Sequence, residues 1–153
     1  MRRVDPEVGS AMMLVPAAVL ILVVLGALVV DNASVWMGQR ELGSAAGIAA
    51  TDAVSAVSDS AFYGSGQVVL DPVGAVNAAL RSVSDQDLSG VELTAPPLVQ
   101  VDGRQVCVTL TGVVQPLFGR SIPGFGGVRT VSARATATVA GDVGQTVPTR
   151  AFC

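Results

Sequence analysis

An uninterrupted apolar stretch, Ala11–Val30, constrains this chain more than any other feature of its sequence. It contains twenty residues and no charged side chain. As an α-helix, a stretch of this length extends about 30 Å, which matches the hydrocarbon core of a bilayer. Arg2 and Arg3 precede the stretch and Asp31 follows it directly. Positive charge on the short N-terminal side predicts a cytoplasmic N-terminus, so we expect one membrane span with the rest of the chain outside the cytoplasm.

Three other interpretations of this stretch are open. A cleaved secretory signal has a short apolar core and small residues at its cleavage site, whereas Asp31 stands where a cut after Ala33 needs a small residue. A buried helix of a soluble protein would carry a polar face, and none interrupts this run. In the third interpretation, Gly9-Ser10 is the cleavage site of a prepilin-type leader, because it lies between a short charged segment and the apolar run. Processing there would keep the helix in the mature chain.

Beyond Asp31 the pattern predicts that the helix continues into water. Small and aliphatic residues recur at helical spacing on one face: Val35, Leu42, Ala46, Ala49, Ala53 and Ala56. We therefore expect one helix from about Ala11 to about Ala61, with residues 1–10 as a cytoplasmic stub and 31–63 as the extracytoplasmic continuation. Gly43 and Gly47 form a small-xxx-small pair, which favours helix contacts in membranes. Because both lie outside the predicted span, we expect them to pack against the protein's own sheet instead.

Residues 64–141 are predicted to form a small α+β domain, followed by a tail over 142–153. Asp71-Pro72 is a typical helix start, and the spacing predicts a short helix to about Ser84. Strand patterns then cover Val91–Thr94, Leu98–Val101, Gln105–Val113 and Thr130–Val139, with a shorter one at Val68–Leu70 and a loop over Gln115–Gly127. Asp102-Gly103 is a hairpin signal. The predicted fold is α+β, with an antiparallel sheet of about three to five strands on the helix's outer half and a core of Ala, Val and Leu.

The composition argues against catalysis and against several classes of ligand. The chain has no His and no Lys, so the usual general bases for a Ser or Cys nucleophile are missing. The sequence also has no zinc-type His/Cys cluster and no phosphate-binding Gly loop. With a net charge of −3 and no basic patch, nucleic acid is not an expected partner. We therefore predict no enzymatic activity, no cofactor and no small-molecule substrate.

An acidic turn offers one weak metal-binding pattern. Asp85, Asp87 and Gly90 match the first half of a calcium loop, but Pro96 stands where the bidentate Glu belongs. An acidic Gly-containing turn between a helix and a strand explains the same residues.

The two cysteines, Cys107 and Cys153, lie outside the cytoplasm on this topology, where disulfides form readily. Pairing across their 46-residue separation would stabilise the fold by about 4 kcal/mol in the chain-entropy model. We expect the bond, with two free thiols as the alternative.

The basic stub, Gly9-Ser10, the apolar helix and the segment QRELGSAAGIAATDA over Gln39–Ala53 resemble the TadE/TadG-like proteins of tight-adherence (Flp) pilus assembly systems. Those proteins carry a helix followed by an R-x-L-x-x-A-A-D-A-A-A-like segment. The segment Arg129–Ala137 also resembles that family's last strand, which is rich in Val, Ala and Thr. The resemblance covers most of the chain. It implies a pseudopilin-like accessory protein of the cell membrane that contacts other pilin-like subunits or platform proteins.

One departure from the pilin pattern bears on processing. Processed pilins of this type carry Glu five residues after the cleavage-site Gly, whereas this chain has Leu14 there. We therefore expect Gly9-Ser10 to remain uncleaved. The alternative function is a membrane-anchored extracytoplasmic binding domain unrelated to pili.

Overall fold

The structure is a computed structural model and describes residues 8–66, 68–119, 127–139 and 153, with side chains from residue 14 onward. Its elements in chain order are α1 (Val8–Val54), α2 (Asp59–Ser65), α3 (Pro72–Ser84), β1 (Glu92–Leu93), β2 (Leu98–Asp102), β3 (Gln105–Val114) and β4 (Arg129–Thr138). A long apolar N-terminal helix and a small antiparallel sheet thus form an α+β fold, which confirms the predicted fold class.

Helix α1 contains 47 residues and is therefore about 70 Å long. The prediction that it continues to Ala61 is wrong, because it ends at Val54. Beyond Val54 the chain makes a tighter turn, because the Ser55 N–H and hydroxyl both donate to the carbonyl of Asp52, which is three residues earlier. Val57 then pairs with Leu70 in an isolated antiparallel bridge. The predicted strand Val68–Leu70 is reduced to this bridge, and α2 follows as a separate helix.

Strand β3 is the centre of the sheet. β2 and β1 pair in succession along one edge of β3, and β4 pairs along the whole of the other edge, all antiparallel. The predicted hairpin is confirmed: Asp102 pairs with Gln105 across a two-residue turn, and Gly103 takes a φ of 57°. Only glycine adopts this left-handed conformation readily. The strand predicted over Thr130–Val139 is confirmed as β4, one residue earlier at each end.

The core lies between one face of α1 and one face of the sheet. The predicted helix face is confirmed: Leu42, Ala46, Ala49 and Ala53 are fully buried, and Val35 and Ala56 are partly buried beside them. Val106, Val108, Leu110 and Val114 face them from β3, and Ala75, Ala79 and Val83 cover the same helix from α3. All members of this cluster are Ala, Val or Leu. Small side chains let the backbones of helix and sheet approach closely.

The glycine that uses this close approach is Gly38. A Cβ atom at Gly38 would lie 2.9 Å from Cγ2 of Val91 and would also collide with Cγ2 of Val114. At Gly43 and Gly47 a Cβ atom would meet nothing within 4 Å, so the prediction that these two pack against the sheet is wrong. Gly38 precedes Leu42 by four residues and shares its face of the helix, whereas Gly43 and Gly47 each follow a core residue by one position.

Helix α3 begins as its sequence predicts. Asp71 is its N-cap, and its carboxylate accepts a hydrogen bond from the Val73 N–H at 3.1 Å. Pro72 occupies the first helical position, where a missing N–H costs nothing. The helix ends at Ser84, as predicted.

Candidate functional site

Between Leu14 and Val30, helix α1 is apolar on every side and its large apolar side chains are exposed. Over Leu14–Val30 the large apolar side chains are 41 to 68% exposed. The most apolar 18-residue window has a mean hydropathy of 2.7, and none of it is buried in the protein. The helix is therefore long and apolar enough to cross a membrane near the N-terminus. The second half of the same helix forms the core of the sheet domain.

Asp31 marks the boundary between these two halves. Its carboxylate accepts hydrogen bonds from two successive backbone N–H groups, Phe118 at 2.9 Å and Gly119 at 2.8 Å. Hydrogen bonds to an ionised acceptor are roughly twice as strong as those between neutral groups. Asp31 therefore fastens residues 115–119, which follow β3, to the helix at the point where the apolar run ends.

The fastened loop presents two apolar side chains outward. Pro116 and Gly119 are buried, whereas Leu117 is 67% exposed and Phe118 is 48% exposed. The sequence alone identifies Asp31 only as the first charge after the span and predicts only a loop over residues 115–127. The available signal was the Leu-Phe pair in a segment otherwise rich in Pro and Gly.

A tryptophan lies near the same boundary. Trp36 is 61% exposed and is the only tryptophan in the chain. The guanidinium carbon of Arg40 lies 5.8 Å from the centroid of the Trp36 rings, which is within cation–π range. Because Trp36 follows Asp31 by five residues, it is about 7.5 Å farther along the helix axis and about 140° around it.

An open cleft of about 640 Å³ lies between α1 and the adjacent end of the sheet. Apolar side chains dominate its walls, among them Met37, Leu88, Val91 and Leu117, and its carboxylates are Glu41 and Glu92. The arrangement supplies an apolar surface with an acidic rim.

The predicted acidic turn is the end of α3. The Asp85 N–H donates to the carbonyl of Arg81 at 2.9 Å, so Asp85 caps the helix. Asp85 and Asp87 are both exposed. Among the residues that the structure describes, no three His, Cys, Asp or Glu side chains come together as a metal site.

The two cysteines meet on the face of the sheet that points away from α1. Their sulfur atoms are 2.05 Å apart and their Cα atoms 6.1 Å apart, so the structure joins Cys107 to Cys153. Cys107 is buried and pairs in register with Thr136 of β4, whose hydroxyl oxygen lies 3.0 Å from the sulfur of Cys153. Residue 153 is thus held against the centre of the sheet.

The predicted cleavage site, Gly9-Ser10, lies in the first turn of α1. The side chains of both residues fall outside the described part, and cleavage stays a prediction. Comparisons with protein-family models, with curated proteins and with solved structures find no match for this chain.

Proposed function

We propose that this chain is a pseudopilin-like accessory membrane protein of a Flp/Tad-type pilus or a related secretion machine, and that it acts through protein–protein contacts. The observation that carries the proposal is the division of α1. One unbroken helix exposes an apolar segment at one end and supplies the core of a small antiparallel-sheet domain at the other. Such a chain is suited to hold a domain at a membrane and to pack beside similar helices.

The residues that carry the TadE-like resemblance support this proposal in two ways. Leu42, Ala45 and Ala46 are fully or almost fully buried core residues, so these apolar positions of the motif are used for folding. Arg40, at the Arg position of the motif, is exposed, and so is Asp52, whereas Gly47 stands where the motif has its Asp. The Asp52 carboxylate accepts a hydrogen bond from the hydroxyl of Ser82 in α3, which links the helices, while Arg40 lies beside Trp36.

The proposed topology puts the N-terminus in the cytoplasm and the sheet domain outside it. Arg2 and Arg3 before the apolar stretch support this orientation, and the Cys107–Cys153 pair suits an oxidising compartment. Protease added to intact, wall-stripped cells should degrade the domain. Protection of residues 130–153 would contradict the orientation.

The function itself is tested in the producing bacterium. Deleting the gene in frame should abolish or reduce surface pili in sheared fractions and in electron micrographs, and restoring it should recover them. A photo-crosslinking residue in place of Leu22 should capture pilin-like or platform subunits, identified by mass spectrometry. The matched control replaces Tyr63, which is 85% exposed beyond the far end of α1. Unchanged piliation with no captured subunit would favour the alternative, an anchored binding domain unrelated to pili.

A further inference from the structure

We propose that Leu117 and Phe118 insert into the interfacial region of the lipid bilayer, so that the domain is seated on the membrane at a second point beside α1. This inference rests on the membrane anchoring in the proposed function. It adds a specific surface, the apolar tip of the loop over residues 115–119, and a specific occupant, the lipid surface.

The position of the loop along the helix is the first argument. The backbone of Phe118 and Gly119 is bonded directly to Asp31, and Asp31 is the first charged residue after the apolar run. When that run crosses a bilayer, residue 31 lies where the hydrocarbon ends. The headgroup layer beyond it is about 5–7.5 Å thick, since the whole bilayer measures about 40–45 Å against about 30 Å for its core. The loop tip therefore lies at this layer.

The hydrogen bonding of the loop is the second argument. A backbone N–H that enters an apolar environment needs a partner within the protein, because lipid tails supply none. The N–H groups of Phe118 and Gly119 at the tip both have that partner in the Asp31 carboxylate. The flanking Pro116 and Gly119 are buried, whereas Phe118 is exposed and Leu117 is exposed at the edge of the cleft beside α1. The loop can thus present Leu117 and Phe118 to lipid with the N–H groups of Phe118 and Gly119 already paired.

Trp36 gives an independent marker for the outer edge of the same headgroup layer. Tryptophan is enriched at membrane–water interfaces, where its apolar rings and its N–H group meet different surroundings. Trp36 is exposed and lies about 7.5 Å beyond Asp31 along the axis of α1, on another side of the helix. The first charged residue after Trp36 is Arg40, four positions later. Continuity with the apolar helix segment is what favours lipid over a protein partner as the occupant of the loop tip.

Depth-dependent fluorescence quenching tests the inference on the full chain in phosphatidylcholine–phosphatidylglycerol vesicles. Trp36→Phe removes the native tryptophan, and Phe118→Trp places a single reporter on the loop, with Leu117→Trp as a second. Lipids brominated near the headgroup should quench both loop reporters at least twofold more than they quench Tyr63→Trp, and the loop emission should be blue-shifted. Loop quenching equal to that of Tyr63→Trp would overturn the inference.

Two further outcomes separate this inference from its premise. Leu22→Trp should be quenched by lipids brominated in mid-chain. Its failure would overturn the membrane anchoring, whereas quenching at position 22 without quenching at 117 and 118 would overturn only the insertion of the loop. Loop reporters that are shielded from acrylamide but not quenched by brominated lipid would show that a protein surface, such as a second copy, covers the tip, and would also overturn it.

The role of Asp31 is tested in the Phe118→Trp background. Asp31→Ala removes both acceptors, so lipid quenching of the loop reporter should fall at least twofold. The matched control, Asp87→Ala, changes an exposed carboxylate on the turn after α3 and should leave the quenching unchanged. Equal quenching in both variants would overturn the positioning role of Asp31.

Discussion

Replacing Gly38 with alanine measures how closely α1 packs on the sheet. The new Cβ atom would lie 2.9 Å from Cγ2 of Val91 and would also collide with Cγ2 of Val114. Both neighbours are valines, whose branched side chains have few alternative rotamers, so relief requires the helix or a strand to move. Overpacking of this kind costs about 1–3 kcal/mol, and two contacts favour the upper part of that range.

The helix itself gains from the same substitution. Alanine is about 1 kcal/mol more favourable than glycine inside a helix, which leaves a net destabilisation of about 1–2 kcal/mol for Gly38→Ala. Gly43→Ala is the matched control, because it makes the same chemical change in the same helix, where a Cβ atom meets nothing within 4 Å. We expect Gly43→Ala to stabilise the domain by about 0.5–1 kcal/mol.

Hydrogen exchange of the β3 amides, detected by mass spectrometry on the full chain in vesicles, measures the free energy at which the domain opens. For Gly38→Ala we expect exchange about 5–30-fold faster than in the parent chain. For Gly43→Ala we expect slower exchange. If Gly38→Ala slowed exchange as Gly43→Ala does, the close contact of α1 with Val91 and Val114 would be refuted.

Four further predictions concern Gly112, the two cysteines, Asp71 and the Gly9-Ser10 site. Gly112→Ala should destabilise the domain by about 2–3 kcal/mol, because its Cβ atom would lie 2.9 Å from the carbonyl oxygen of Glu92 in β1; unchanged urea unfolding would contradict this. Alkylation before reduction should label neither cysteine, and Cys153→Ser should lower the free energy of unfolding by about 4 kcal/mol; labelling of both thiols would exclude the bond. Asp71→Ala should cost about 1 kcal/mol through loss of the N-cap, whereas Asp71→Asn should cost little; equal losses would argue against capping. Finally, the intact mass of protein from the native membrane should show no cut at Gly9-Ser10, and a mass that begins at Ser10 would contradict the prediction.

The strands, the hairpin, the start of α3 and the core face of α1 were predictable because each has a local cause. Alternation in β4 and the Asp102-Gly103 turn act within a few residues. The end of α1 was not predictable in this way. The sequence after Ala53 has no Gly or Pro before Gly64, and the helix stops where Val57 pairs with Leu70, a residue that is distant in sequence.

The same limit applies to the candidate site. The two hydrogen bonds to Asp31 join residues that are 87 and 88 positions apart, and no local pattern in the sequence announces a pairing over that distance. The prediction of which glycines pack against the sheet was wrong for a related reason. Gly43 and Gly47 match a known motif, but the contact falls on Gly38 because the core face of the helix, rather than the motif, decides which glycine meets the sheet.

The unbroken course of α1 also determines how the molecule transmits force. A flexible linker must be extended before it transmits a force from a membrane anchor to a domain. Here the apolar segment and the main helix of the core belong to one helix about 70 Å long. Pro16 removes one backbone hydrogen bond near the N-terminal end of this helix, so a tension or a twist applied between Pro16 and Asp31 reaches the contact of α1 with β3 and β4 directly. A displacement of the apolar segment along its axis displaces the sheet by the same distance.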